Sequence, residues 1–281
     1  MDPEPQSAAT ARLFDAMSEE YDVLEPWYEH FYARVHAILT AQLAPPPDRR
    51  RRRALDAGCG SGFQTTLLHD LGYDTHGVDL SARLLAHAQR RVPGARFARA
   101  DVTALPYRDA AFDAVSCVGG TLSFVETPDA ALAEIARVLR PGGLLILECE
   151  HKWSLDLGWS LLGALTGDAL GYGVTVRQLW RAFRRPLPAP IVLPYPDYGA
   201  LTLFSTTDLR RRLGAVGLSW RRAWGLHTIT NLIPSTVLHR ARLPRGLATI
   251  YRALRALDAI AAPTALGRAL ANSVVVLSSK A

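Results

Sequence analysis

Cysteine is scarce in this chain: there are three, Cys59, Cys117 and Cys149, an odd number set far apart. That excludes a disulfide framework, and with no paired histidines beside them there is no zinc pattern, so no metal site is expected. All three fall in or beside stretches that read as buried strands, which suits reduced thiols in a cytoplasm. No apolar run reaches membrane-spanning length without a charge or a breaker. The opening Met1-Asp2-Pro3-Glu4-Pro5-Gln6 has neither a basic stretch nor an apolar core, so no secretory leader is expected. No internal repeat is visible. What the chain does have is apolar residues, 49% of 281, enough for a sizeable core in one large domain or one domain with a cap.

The net charge of +6 raises the question of a polyanionic partner, and Arg49 to Arg53 form an unbroken basic run after Pro45-Pro46-Pro47-Asp48. No aromatic residue interleaves with that run to stack bases. It reads as a solvated connector ahead of the first core strand, and no specific nucleic-acid partner is expected.

Leu55-Asp56-Ala57-Gly58-Cys59-Gly60-Ser61-Gly62 joins an apolar strand to a helix starting near Phe63. The glycines let backbone approach a ligand without a Cβ between them. The spacing is G-x-G-x-G, and the third residue on is Phe63, so the dinucleotide fingerprint is missing; so is the Lys-Ser/Thr pair of a phosphate loop. With Asp56 ahead of the glycines, the loop suits a ligand with a cationic end. Asp79 ends the next strand-like run, Gly77-Val78-Asp79, at the distance where a Rossmann-type unit places its ribose-binding acid. Asp101-Val102 follow a third run, Ala95 to Ala100. Phe112 to Val118 read as a fourth strand, and Leu139-Arg140-Pro141-Gly142-Gly143 stop a helix just before a fifth, Leu144 to Glu148.

In this ordered set the chain resembles the class I S-adenosylmethionine (SAM) dependent methyltransferases, closely over residues 10 to 150 and by order of elements beyond. The resemblance implies an α/β fold: a Rossmann-like, seven-stranded, mostly parallel sheet with helices on both faces, an N-terminal helical segment and a helical lid insertion. One methyltransferase domain over residues 1–281 would divide into N-terminal helices (1–44), a SAM-binding core (54–150), a lid (151–205) and the rest of the core with a helical excursion (206–281). Apolar spacing at Leu13, Met17 and Tyr21 agrees with a helix over 8–24, and Trp27 to Leu43 read as a second. Strand–helix alternation agrees with a parallel sheet covered on both faces.

The resemblance also implies the cofactor site. Gly58, Cys59, Gly60 and Gly62 would approach the methionine part of SAM, with Asp56 and the backbone of Cys117 and Val118 near its ammonium. Asp79, with Leu80 beside it, would hold the ribose hydroxyls, and Asp101 and Val102 would flank the adenine. Tyr21 falls where that family often has a tyrosine near the methionine end. In-line transfer from a sulfonium relies heavily on alignment, an effect worth up to roughly 7 to 11 kcal/mol, and a base is needed only for an acceptor that must lose a proton.

Residues 151 to 200 carry tryptophans, glycines and the Pro186 to Pro196 stretch, and residues 227 to 270 are basic and helical in pattern. Both leave the sheet after its fifth strand, where open α/β sheets bind ligands, so an apolar or aromatic acceptor is expected there. A quinone, polyketide or isoprenoid-type metabolite fits, and the lid could also touch a membrane surface. Tyr172, Tyr195 and Tyr198 are candidates for the pocket wall, or for plain turns. Candidate bases are His151, Glu150 and His227, in that order, each at a strand end. Two other readings stay open. A nucleic-acid or protein methyltransferase should show an Asn-Pro-Pro-Tyr-like motif where this chain has Cys117 to Leu122. A non-catalytic SAM-binding scaffold is opposed by the presence of Asp56, Asp79 and Asp101.

Overall fold

The computed structural model describes residues 6–22, 25–43, 52–184, 189–195, 199–240 and 242–281. Most of the arginine run, both ends of the Pro186 to Pro196 stretch and Tyr198 lie outside the described residues, as does the side chain of Tyr195.

Two helices come first, α1 (Gln6–Met17) and α2 (Pro26–Gln42). Pro26 opens α2, where a missing N–H is harmless, and Phe31, Val35, Ile38 and Leu39 form the stripe it buries on the sheet. There follow β1 (Arg53–Ala57), α3 (Phe63–Asp70), β2 (Asp74–Asp79), α4 (Ala82–Arg91), β3 (Arg96–Arg99), β4 (Phe112–Cys117), α5 (Thr121–Phe124), α6 (Pro128–Val138) and β5 (Leu139–Glu150). The insertion comprises α7 (Leu155–Leu165), α8 (Val176–Phe183), β6 (Ile191–Tyr195) and β7 (Gly199–Leu203). The chain closes with α9 (Thr206–Ala215), β8 (Leu218–Leu226), a 3-10 turn at Thr230–Leu232, α10 (Ser235–Leu238), α11 (Arg245–Ala261), α12 (Ala265–Leu270) and β9 (Ser273–Lys280).

The main sheet has seven strands in the order β3-β2-β1-β4-β5-β9-β8. β1 to β5 pair in parallel, and β9 lies antiparallel between β5 and β8. The order reverses at β1, where chain leaves toward β2 on one side and returns to β4 on the other. A crevice opens there at the carboxyl ends of the strands. The strands of the middle are buried on both faces, one packed under α6 and α9 and the other under α2.

Two details differ from the sequence expectation. The first helix stops at Met17, and residues 18–22 form turns. The insertion is also not purely helical: Ile191–Tyr195 pairs with Gly199–Leu203 as a hairpin, which closes its own small core over Val174, Leu179, Ala182, Ile191, Leu193 and Leu203. The prolines there hid the strand pattern, since proline is tolerated in a hairpin edge where no ladder N–H is required.

Candidate active site

The glycine loop takes the shape its composition allows. Gly58, Gly60 and Gly62 have φ of +78°, +51° and +92°, the left-handed region that favours glycine. A side chain on Gly58 would collide with Thr121, and a Cβ on Gly60 would sit 3.3 Å from the Tyr21 ring. Asp79 ties the loop to the next strand: its Oδ2 accepts the Gly60 N–H at 2.8 Å and its Oδ1 the Ser81 N–H at 2.9 Å.

Above these residues lies a cleft of about 250 Å³. Of the residues predicted for the site, Tyr21, Gly58, Asp79, Leu80, Asp101 and Val102 line it. Gly60 stands behind this wall, bonded to Asp79 and against Tyr21. Cys59 and Cys117 are buried free thiols, each pushed up by burial and by the neighbouring Asp56. Gly62 packs against Ala88 of α4, and Val118 belongs to the core under α2. The resemblance leads one to expect N-terminal helices closing over the cofactor, but the residues of the opposite wall went unnamed: Ser7, Thr10 and Phe14 of α1, and Gly119, Thr121 and Phe124 to Thr127 after β4. The Gly119-Gly120 pair was the available signal, since both adopt positive φ.

Phe14 caps this cleft, edge-on to Tyr21 at 6.1 Å and to Phe124 at 5.8 Å. α1 is held there by Asp15, whose Oδ1 accepts from Ser81 Oγ at 2.5 Å and from the Arg83 N–H at 3.1 Å. Asp22 anchors the following turn, accepting from Ser61 Oγ at 2.6 Å and pairing with Arg91 at 2.6 Å. The cover is therefore pinned at two places to the same loop and helix that build the floor.

Several acids stand at or behind the cleft's lining. Asp56 is buried and accepts from Thr65 Oγ1 at 2.7 Å, and burial raises its pKa to about 7. Burial likewise raises Asp79, against the opposing pull of the Ser81, Gly60 and Leu80 N–H groups. Glu148 of β5, which the sequence reading did not single out, is buried and accepts the N–H groups of Gly119 and Gly120 at 2.9 and 2.8 Å. Its carboxyl is also raised by burial. Asp101 Oδ1 accepts from Thr103 N and Oγ1, both at 2.8 Å, which fixes the carboxylate at the cleft wall. Buried acids whose ionised forms are disfavoured suit a ligand that brings positive charge with it.

Comparison with known proteins gives this geometry a family. Residues 55–147 match the model of a methyltransferase domain. A demethylmenaquinone methyltransferase of Beutenbergia cavernae is 32% identical over 247 residues, covering 86% of this chain and 93% of that protein. The chain belongs to the class I SAM-dependent methyltransferases. A malonyl-[acyl-carrier protein] O-methyltransferase of Enterobacter lignolyticus is 33% identical to this methyltransferase over 59% of each chain. Among solved structures, the 1,6-didemethyltoxoflavin-N1-methyltransferase of Burkholderia thailandensis, with its substrate and S-adenosylhomocysteine bound, superimposes with a TM-score of 0.55 at 18% identity, covering 99% of this chain and 91% of that one. The cofactor is SAM, and the positive-φ glycines, the buried acids behind the loop and the two wall carboxylates fit its methionine, ammonium, ribose and adenine chemistry.

The methyltransferase does not bring its three candidate bases to the cleft wall. His151 is 2% exposed, its pKa is depressed to about 4 by burial, and its backbone N–H donates to Asn272 O at 2.7 Å. It serves as the junction between β5 and Phe204, at the far end of the insertion. His227 is fully buried with φ +51°, stacked on Trp27 at 3.5 Å, and burial pushes its pKa well below the ordinary value. With His30 and Asp258 it forms a buried group whose ligand-type atoms lie within 4.8 Å of one another. Hydrogen bonds already engage that group: His30 Nε2 meets Asp258 Oδ2 at 2.9 Å, and Asp258 Oδ1 accepts the N–H groups of Thr228 and Ile229. Glu150 is half-buried, and burial plus the like charges of Glu148 and Asp156 raise its carboxyl well above the ordinary range. Tyr172 donates to Asp156 Oδ1 at 2.6 Å and so holds the insertion together from inside.

Proposed function

We propose that this methyltransferase transfers the methyl group of SAM to a small, lipid-like organic acceptor admitted beside the cleft under the 151–205 insertion and the 227–270 excursion. The observation that carries this reading is the seat of the insertion. Strand β7 packs on α5 and α1, the two elements that supply Phe124 and Phe14 to the cleft, so the insertion adjoins the site. The names of the relatives, acting on demethylmenaquinone and on a malonyl-carrier protein, support an acceptor of that class.

In this reading Gly58 and Gly60 pass backbone under the methionine part, and Asp79 accepts from the ribose hydroxyls. Asp101 accepts from the adenine amine, and the backbone of Cys117 and Val118 with the Asp56 carboxylate meets the ammonium. Bound SAM supplies a methyl group on a sulfonium, a good leaving group. The chain's own contribution is alignment: Tyr21, Phe14 and Phe124 restrict where an acceptor can stand and exclude water from the cleft. Three buried thiols fit a cytoplasmic working place, and among the described residues no helix is long and apolar enough to cross a membrane.

The test is transfer of labelled methyl from SAM to a short-chain demethylmenaquinone and to other apolar phenols and quinones, beside transfer to bulk RNA and protein. Turnover on an apolar acceptor supports the reading. Methylation of RNA or protein alone overturns it.

A further inference from the structure

Large apolar side chains that face solvent are concentrated in the insertion. Trp153, Leu161, Leu162, Leu165, Trp180 and Phe183 are all between 41% and 66% exposed. Scattered exposed leucines are ordinary, but a set of this size within thirty-odd residues marks an interaction surface.

Helix α8 shows what kind of surface. Its eight residues begin with a complete capping box, in which Gln178 N–H donates to Thr175 Oγ1 while Gln178 Oε1 accepts the Thr175 N–H. At about 100° per residue, Leu179 and Ala182 point together, and they are the two side chains it buries in the insertion's own core. Val176, Trp180 and Phe183 form a second stripe roughly 100° away, and that stripe is exposed. Arg177, Arg181 and Arg184 make a third, roughly 100° further round. All three arginines are exposed, and among the described residues none is in an ion pair; Arg184 lies over the Trp180 ring at 5.8 Å. The one exposed acid of residues 151–184, Asp168, spends both oxygens on the N–H groups of Tyr172 and Gly173 in its own turn. A helix buried on one side, with an outer apolar stripe bordered by uncompensated arginines, has the make-up of an interfacial helix.

We propose that this face docks the methyltransferase on an anionic lipid bilayer, with Trp180, Phe183 and Val176 in the acyl boundary and the three arginines at the headgroups. The charge decides the occupant: an apolar stripe alone would suit any apolar partner, whereas an arginine row beside it complements a negatively charged surface. The insertion adjoins the second excursion through α7, which touches the 3-10 turn; Trp159 donates to Asn231 O at 2.9 Å, and the turn's Leu232 is 56% exposed. This inference deepens the proposed acceptor class and rests on that reading for its purpose: a lipid-like acceptor would reach the cleft from the bilayer without crossing water. Vesicle binding is read without any methylation, so the two can fail separately.

The experiment is co-flotation of the full chain with vesicles of equal parts phosphatidylcholine and phosphatidylglycerol, and with pure phosphatidylcholine. Binding should require the anionic lipid and weaken with salt. Replacing Arg177, Arg181 and Arg184 together by Gln should weaken it on the order of 100-fold, at about fivefold per arginine. Trp180→Ser with Phe183→Ser should abolish it, while SAM affinity and melting temperature stay within error because the replaced side chains are exposed. Absence of anionic binding by the folded wild type, equal binding to both vesicles, or self-association through α8 in sedimentation with no vesicle binding would each overturn the proposal.

Discussion

Replacing Asp79 by Ala probes the cofactor assignment at its most exposed point. Each carboxylate oxygen already accepts one backbone N–H, from Gly60 at 2.8 Å and from Ser81 at 2.9 Å, and the residue lines the cleft. A hydrogen bond to a charged group contributes about 1.5 to 3 kcal/mol, so loss of two ribose contacts should cost about 3 to 6 kcal/mol, on the order of 10² to 10⁴ in Kd for SAM. The same change leaves two N–H groups without their acceptor, at about 1 to 3 kcal/mol each, and should lower the melting temperature. Asp79→Asn separates the effects: it keeps one acceptor oxygen and the shape of the loop, so it should melt closer to wild type while still losing much of the affinity. Titration calorimetry against SAM, beside thermal melts, reads both. A folded Asp79→Ala protein with unchanged SAM affinity would refute the reasoning.

Asp56 gives a pH signature. Its pKa in the folded protein, about 7, lies above the ordinary 3.8, so its contribution to stability is full below about pH 4 and is lost as pH rises through about 7. Over that window the ligand-free protein should lose up to roughly 4 kcal/mol, and Asp56→Asn should flatten the slope of melting temperature against pH. Glu148→Ala leaves the Gly119 and Gly120 N–H groups unpaired beside the cleft and should cost about 2 to 6 kcal/mol of stability, read by denaturant unfolding; an unchanged midpoint would contradict its role. His151→Ala should melt lower with kcat retained at permissive temperature, because the ring is buried away from the cleft wall. A collapse of kcat at unchanged stability would restore His151 as a base.

The wall of the cleft built from the glycine loop and the strand-end acids was legible because it is local. Gly58, Gly60 and Gly62 need positive φ, and Asp79 and Asp101 sit at strand ends whose spacing is fixed by one strand–helix–strand unit. The residues of the facing wall were not legible, because that wall depends on contacts between distant segments. Phe14 meets Phe124 across 110 positions, and nothing in either neighbourhood announces the other. The base candidates failed to reach the cleft wall for a related reason. Strand-end position places a residue on the correct edge of the sheet, but His227 turned inward to stack on Trp27, and His151 became the hinge between β5 and the insertion. Glu148 passed unnoticed because a buried acid inside a strand reads as a break in the apolar pattern, not as the acceptor for a loop it meets only in three dimensions.

The most direct test of the central claim is a crystal structure of the methyltransferase with S-adenosylhomocysteine. The ribose should lie against Asp79, the adenine beside Asp101 and Val102, and the amino acid end over Gly58 and Gly60 beneath Tyr21. A ligand seated elsewhere, or one whose ribose makes no contact with Asp79, would contradict it.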